Sequence, residues 1–119
     1  MNYDEVIKAL RKYAEKIVME KEAKMVILFG SLAKGNYTAT SDADILIISD
    51  KVSKRAIDRV SKFIDTKLPV ALEPIVLKTS EVMKAIKRQE RFIHEVLKNG
   101  IFLYGDKELW KKLKDLAHR

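Results

Sequence analysis

The chain has 119 residues, with 24 Lys or Arg against 17 Asp or Glu, for a net charge of +7. That length suits one compact domain over residues 1–119, able to bury roughly two-thirds of its unfolded surface, and leaves no room for a second substrate domain. With no cysteine and only His94 and His118, disulfides, thiolate metal sites and a histidine-rich zinc site are excluded, so any metal is a hard, oxygen-bound one.

Tyr3 to about Glu22 carries Val6, Leu10, Tyr13 and Ile17 at spacings of four, three and four, which predicts an amphipathic helix packed on a sheet. Met25 to Phe29 and Asp44 to Ile48 are short apolar runs and predict strands covered on both faces. Ser31 to Ser41 is a long polar connection between them, and such connections are more often functional than idle. Ala56, Ile57, Val60, Phe63 and Ile64 mark a second helix, begun near Ser53 and ended before Pro69. Val70 to Leu77 reads as a third strand. Thr79 or Ser80 caps a helix through Val82, Ile86, Ile93 and Leu97, with a possible break near Gln89 and an exit at Asn99-Gly100. Ile101 to Tyr104 is a fourth strand, and Asp106 caps a last helix with Leu109, Leu113 and Leu116 inward. Helices alternating with strands indicate an α/β fold, helices layered on a small sheet. No apolar run could span a bilayer and the acid-bearing N-terminus lacks a signal core, so a cytoplasmic protein is expected.

The positive excess suits a polyanionic ligand, an acidic partner or a solvated surface. Lys84, Lys87, Arg88 and Arg91 recur at helical spacing and would put four positive charges on one helix face.

The chemistry concentrates between Gly30 and Glu73. Residues two apart on a strand share a face, so Asp42 and Asp44 can aim both carboxylates at one spot. A carboxylate at the mouth of a buried strand must be paired, hydrogen-bonded or metal-bound. Magnesium fits, since it takes a few carboxylates and is completed by water and substrate phosphates. Two-metal phosphoryl chemistry needs a third acid. Asp50 lies roughly 20 Å along the strand from Asp44, and Asp65 has no reason to face inward, whereas Glu73 can stand on an adjacent strand about 4.8 Å away. Pro74 marks that strand as an edge, which also permits a plain surface charge. Gly30 lets backbone approach a phosphate, and Ser31 offers an N–H and a hydroxyl. His94 and His118 are poor candidates for a base, and Tyr104 and Trp110 read as core or interface anchors.

Gly30-Ser31, ten residues, then Asp42-Ala43-Asp44 with a later strand acid resembles the nucleotidyltransferase superfamily of the DNA polymerase beta type. The GSLAKG turn and the closing Gly100 to Gly105 segment resemble its minimal prokaryotic members over nearly the whole chain. The resemblance implies a mixed-sheet polymerase beta-like fold. Gly30 and Ser31 would hold the triphosphate, and Lys34 stands where similar turns are commonly basic and would touch phosphate. Asp42, Asp44 and Glu73 would be catalytic and bind two Mg2+ ions, although relatives often carry Asp where this chain has Glu73. It also implies ATP as substrate, an AMP acceptor on a small helical HEPN partner, and service as the antitoxin of a toxin-antitoxin pair. Two alternatives stay open: an antitoxin that neutralises by binding alone, and an aminoglycoside-type small-molecule nucleotidyltransferase. The latter would need a homo-oligomer to build its acceptor site. The chain alone leaves a nucleic-acid role undecided.

Overall fold

A computed structural model describes residues 1–118. Helix α1, Tyr3–Glu20, starts where Asn2 accepts the Glu5 N–H at 3.2 Å, and buries Val6, Leu10, Tyr13, Ala14 and Ile17 as its spacing predicts. Strands β1, Met25–Phe29, and β2, Ala43–Ile48, flank the short helix α2, Gly30–Lys34. Strand β3 spans Leu72–Leu77, two residues later than the apolar run suggests, and is followed by helix α3, Thr79–Lys87. Helix α4, Arg91–Asn99, strand β4, Ile101–Gly105, and helix α5, Lys107–Ala117, complete the order. Asp106 caps α5 by accepting the Leu109 N–H at 3.0 Å.

The sheet runs β3-β2-β1-β4, with β2 parallel to β3 and the other two pairs antiparallel. It is the mixed sheet expected. Strand alternation sends Val26, Leu28, Ala43, Ile45 and Ile47 to the α1 face, and Met25, Ile27, Leu46 and Ile48 to the face beneath α3, α4 and α5. The two central strands are thus buried on both sides, which is why their sequences read as unbroken apolar runs. Among the described residues no helix is long and apolar enough to cross a membrane.

Three local expectations are corrected. The segment expected to be a second helix forms only two 3-10 turns, Ala56–Asp58 and Val60–Lys62. Its amphipathic pattern fails: Ile57 and Ile64 are exposed while Arg59 is 2% exposed. The Arg59 guanidinium donates to the carbonyls of Ser53, Lys54 and Val76 and to both Glu81 carboxylate oxygens, so interior polar bonds fix this segment in place of an apolar helix face. The helix does break at Gln89, as its sequence allowed, with φ 56 there; what is corrected is the charge stripe, since Arg91 opens α4 and does not extend the α3 face. The start of α3 is not closed by the side chains of Thr79 or Ser80. Glu81 accepts the Lys78 N–H at 2.7 Å, and Asp50 accepts the Thr79 N–H at 2.8 Å and its hydroxyl at 3.0 Å.

Candidate active site

Asp42 immediately precedes β2 and Asp44 lies within it, on the same side as Leu46 and Ile48. Asp44 registers against Phe29 of β1 and against Glu73 of β3. In-register residues of parallel strands project to the same face, so Asp44 and Glu73 leave neighbouring strands about 4.8 Å apart. Strand β3 is a sheet edge and Pro74 pairs with Ile45 there, which keeps Glu73 exposed to solvent. Crowding is electrostatic as well as spatial. The Glu73 carboxyl is pushed above its ordinary value, first by hydrogen bonding with Asp44 and by its charge, then by the same influences of Asp42.

Gly30 joins β1 to α2 with φ +73, a conformation that L side chains rarely adopt. A Cβ at this position would overlap Asp44 Oδ2 and stand 3.0 Å from Asp44 Cγ. Glycine therefore serves both backbone geometry and the close seating of the carboxylate. Ser31 follows on the first turn of α2, whose leading N–H groups have no acceptor inside so short a helix. The turn is anchored from α1: the Tyr3 hydroxyl donates to the Leu32 carbonyl at 3.0 Å, and its ring stacks on Tyr37 with centroids 5.0 Å apart. Just before Asp42, the Thr38 N–H donates to Ser41 Oγ at 2.8 Å, which closes the end of the connection.

Lys34 lies at the end of α2 with its Nζ 2.7 Å from Glu95 Oε1 on α4. Hydrogen bonds from Lys34 and then Asn99 hold the Glu95 carboxyl below its ordinary value. The ammonium is thus occupied by α4. Asp50 and Asp65 stay apart from the carboxylates: Asp50 caps α3 and pairs with Lys24 at 2.9 Å, and Asp65 accepts the Lys67 N–H in a turn. His94 is half-buried on α4 beside α3 and α5, far from a role as base on β2.

Among the described residues no group of three His, Cys, Asp or Glu side chains is already arranged to hold a metal ion, and none of Asp42, Asp44 or Glu73 has a Lys or Arg ion-pair partner. Hard oxygen donors crowded enough to raise one carboxyl, with no positive side chain to offset them, are the donor set that magnesium favours. The residues fit such a cation.

The model of the family described as polymerase beta, nucleotidyltransferase matches residues 11–109. The chain belongs to the polymerase beta nucleotidyltransferase family. It is 33% identical over 105 residues to the Methanocaldococcus jannaschii protein named "Putative protein adenylyltransferase MJ0141", covering 85% of this chain and 98% of that one. Two solved structures share the fold. A structure described as "a putative nucleotidyltransferase from Sulfolobus solfataricus" superposes with a TM-score of 0.60 at 24% identity, over 89% of this chain and 86% of the other. A structure described as the toxin-antitoxin with AMP-PNP does so with a TM-score of 0.60 at 17% identity, over 99% and 85%. The mixed four-stranded sheet with its helices is the polymerase beta nucleotidyltransferase fold.

Sequence reasoning missed the surroundings of the site. Phe29, the last residue of β1, pairs with Asp44 and meets Phe92 edge-on at 5.3 Å. Its position directly before Gly30 was the only available signal. Tyr3, one turn ahead of the buried Val6, was the sole aromatic in the first turn of α1.

Proposed function

We propose that this nucleotidyltransferase is a magnesium-dependent protein adenylyltransferase, with Asp42, Asp44 and Glu73 as its catalytic carboxylates. The observation that carries the reading is the convergence of these acids beside the Gly30 turn, where a Cβ would collide with Asp44. The kinship to a protein named as an adenylyltransferase supports AMP as the transferred group. Divalent magnesium, when held by the three carboxylates, supplies charge neutralisation at the attacking and leaving oxygens.

The chain's own groups account for the rest. Gly30 and the Ser31 N–H and hydroxyl bind the triphosphate of ATP and orient it. Lys34 exchanges Glu95 for a phosphate oxygen as nucleotide arrives. Glu73, exposed on the β3 side, accepts the proton of the acceptor hydroxyl at a carboxylate oxygen. The acceptor oxygen bonds to the α-phosphorus as the bond to the bridging oxygen breaks, and pyrophosphate departs in line.

The biological setting that fits is a toxin-antitoxin pair with a small helical HEPN protein as acceptor, in line with the fold shared with the toxin-antitoxin structure. The test is transfer of label from α-labelled ATP to the product of the neighbouring reading frame. Asp42→Asn and Asp44→Asn should abolish transfer while leaving the circular dichroism spectrum unchanged. Full transfer by both folded variants would refute the mechanism, and equal neutralisation of the partner without ATP would assign the antitoxin role to binding alone.

A further inference from the structure

Beside the three carboxylates runs a groove of about 500 Å³ between β3 and the α3–α4 corner. Its floor is apolar: Ile75 and Leu77 come from β3, Ala85 from α3 and Phe92 from α4. Ile75 and Phe92 are 38% and 36% exposed, enough to leave both apolar side chains open to solvent. Both are tied to the site. Ile75 lies two residues beyond Glu73 on the same strand face, and Phe92 packs edge-on against Phe29, the register partner of Asp44.

The groove's position relative to the turn separates two substrates. The Gly30-Ser31 turn leaves β1, whereas the groove begins at β3, the opposite neighbour of β2. In the proposed reaction the triphosphate occupies the β1 side, and Glu73 meets the attacking hydroxyl on the β3 side. The groove therefore extends from the place where the acceptor's hydroxyl must lie.

Its charges narrow the acceptor's chemistry. Lys84 and Arg88 stand exposed on the lip, and no ion pair to either occurs among the described residues. Glu90 and Glu81 share the lining, the latter already bonded to Arg59. Carboxylates beside the floor oppose a polyphosphate backbone, while Lys84 and Arg88 oppose a polycationic sugar. An apolar floor with a basic lip suits a polypeptide segment that seats one or two apolar side chains and carries acids that reach Lys84 and Arg88.

We infer that the β3–α3–α4 groove is the acceptor-docking site, and that it takes an acidic, apolar-anchored polypeptide segment bearing the hydroxyl to be adenylylated. This rests on the adenylyltransferase reading above. In use, Ile75 and Phe92 hold the anchor and Lys84 and Arg88 select the acids, so these four residues set acceptor choice without touching ATP.

The experiment measures transfer from α-labelled ATP to defined probes: Tyr-, Ser- and Thr-bearing peptides rich in Asp/Glu and Leu/Phe, the same peptides with Lys in place of the acids, an oligoribonucleotide with a free 3′-hydroxyl, and an aminoglycoside. The wild type should label the acidic apolar peptides at least about tenfold more efficiently than any other probe. The K84E/R88E double variant should lose that preference or reverse it towards the Lys peptides, and Phe92→Ala should raise KM for the acidic set. In K84E/R88E the thermal shift produced by Mg2+ and ATP should stay at the wild-type value. Labelling of acidic peptides that ignores both variants overturns the inference, as does preferred labelling of RNA or the aminoglycoside. ATP binding without labelling of any peptide overturns it too. A wild type that shows no Mg2+-dependent ATP shift, or an Asp44→Asn variant that keeps it, instead defeats the adenylyltransferase reading beneath.

Discussion

Replacing Gly30 with alanine tests whether the turn and the carboxylate are built as one unit. Two costs are expected. A non-glycine residue at φ +73 pays about 1–2 kcal/mol for the left-handed conformation alone. The added Cβ also overlaps Asp44 Oδ2 and stands 3.0 Å from Cγ and 3.3 Å from Cβ of the same residue, so the carboxylate must swing aside at about 1–3 kcal/mol, as for other overpacked sites. Together Gly30→Ala should destabilise the fold by about 2–5 kcal/mol. The two terms separate in a double-mutant cycle, because Asp44→Ala deletes Oδ2 and Cγ while leaving the backbone strain in place. Urea unfolding of the wild type, both single variants and the double variant should give a coupling of about 1–2 kcal/mol, with Gly30→Ala costing less when Asp44 is absent. If Gly30→Ala costs the same in both backgrounds, the carboxylate does not rest on the glycine and the proposed seating of Asp44 is wrong. Transfer activity should fall by about two orders of magnitude in Gly30→Ala, since catalysis depends on ångström-scale placement.

Other consequences are accessible by standard assays. Mg2+ with a non-hydrolysable ATP analogue at about a hundred times Kd should stabilise the wild type by about 2.7 kcal/mol, seen as a rise in Tm, and Asp44→Asn should remove most of it; an undiminished rise would dissociate Asp44 from the ligand site. Arg59→Met should destabilise by about 2–3 kcal/mol, because it strands the carbonyls of Ser53, Lys54 and Val76 that the guanidinium satisfies, and chemical denaturation measures the loss. The same pair gives a pH signature: hydrogen bonding to Arg59 holds the Glu81 carboxyl below its ordinary 4.5, so its contribution is present above that value and vanishes as pH falls through the lower, folded one. Glu81→Gln should flatten that acid limb, and an unchanged limb would exclude the pair as its source. Tyr3→Phe should cost about 1 kcal/mol in stability through loss of the bond to the Leu32 carbonyl, and should raise KM for ATP more than it lowers kcat.

Strands, and the acids at their ends, were legible because both obey the two-residue period. Asp42 and Asp44 share a strand face by that period, Glu73 was expected on an adjacent strand within reach, and the β2–β3 register places Asp44 opposite Glu73. The Arg59 segment defeated periodicity for the opposite reason. Its stability comes from a buried guanidinium and four partners up to 22 residues away, and no local pattern encodes such bonds. Lys34 was legible as a cation beside the turn, but its bond to Glu95 depends on how α4 packs against α2, a tertiary fact. The α3 cap illustrates the same limit, since Asp50 reaches Thr79 across 29 residues.

The edge placement of Glu73 is compatible with both readings that the sequence left open. Pro74 allowed either a surface charge on an edge strand or a member of the site, and Glu73 is both exposed and influenced by Asp44 and Asp42. A third acid on an inner strand would add a buried like charge beside Asp44, at a desolvation cost that exposure avoids. Solvent access keeps that mutual repulsion affordable before a cation arrives, and it also leaves the β3 side open to a second substrate. Within this charge cluster Asp44 is the half-buried member, close against Gly30, and Glu73 the exposed one, on the strand that borders the Ile75–Phe92 groove. In the proposed reaction the Asp44 end lies beside the phosphate, while the exposed Glu73 end leaves room for a protein-sized acceptor.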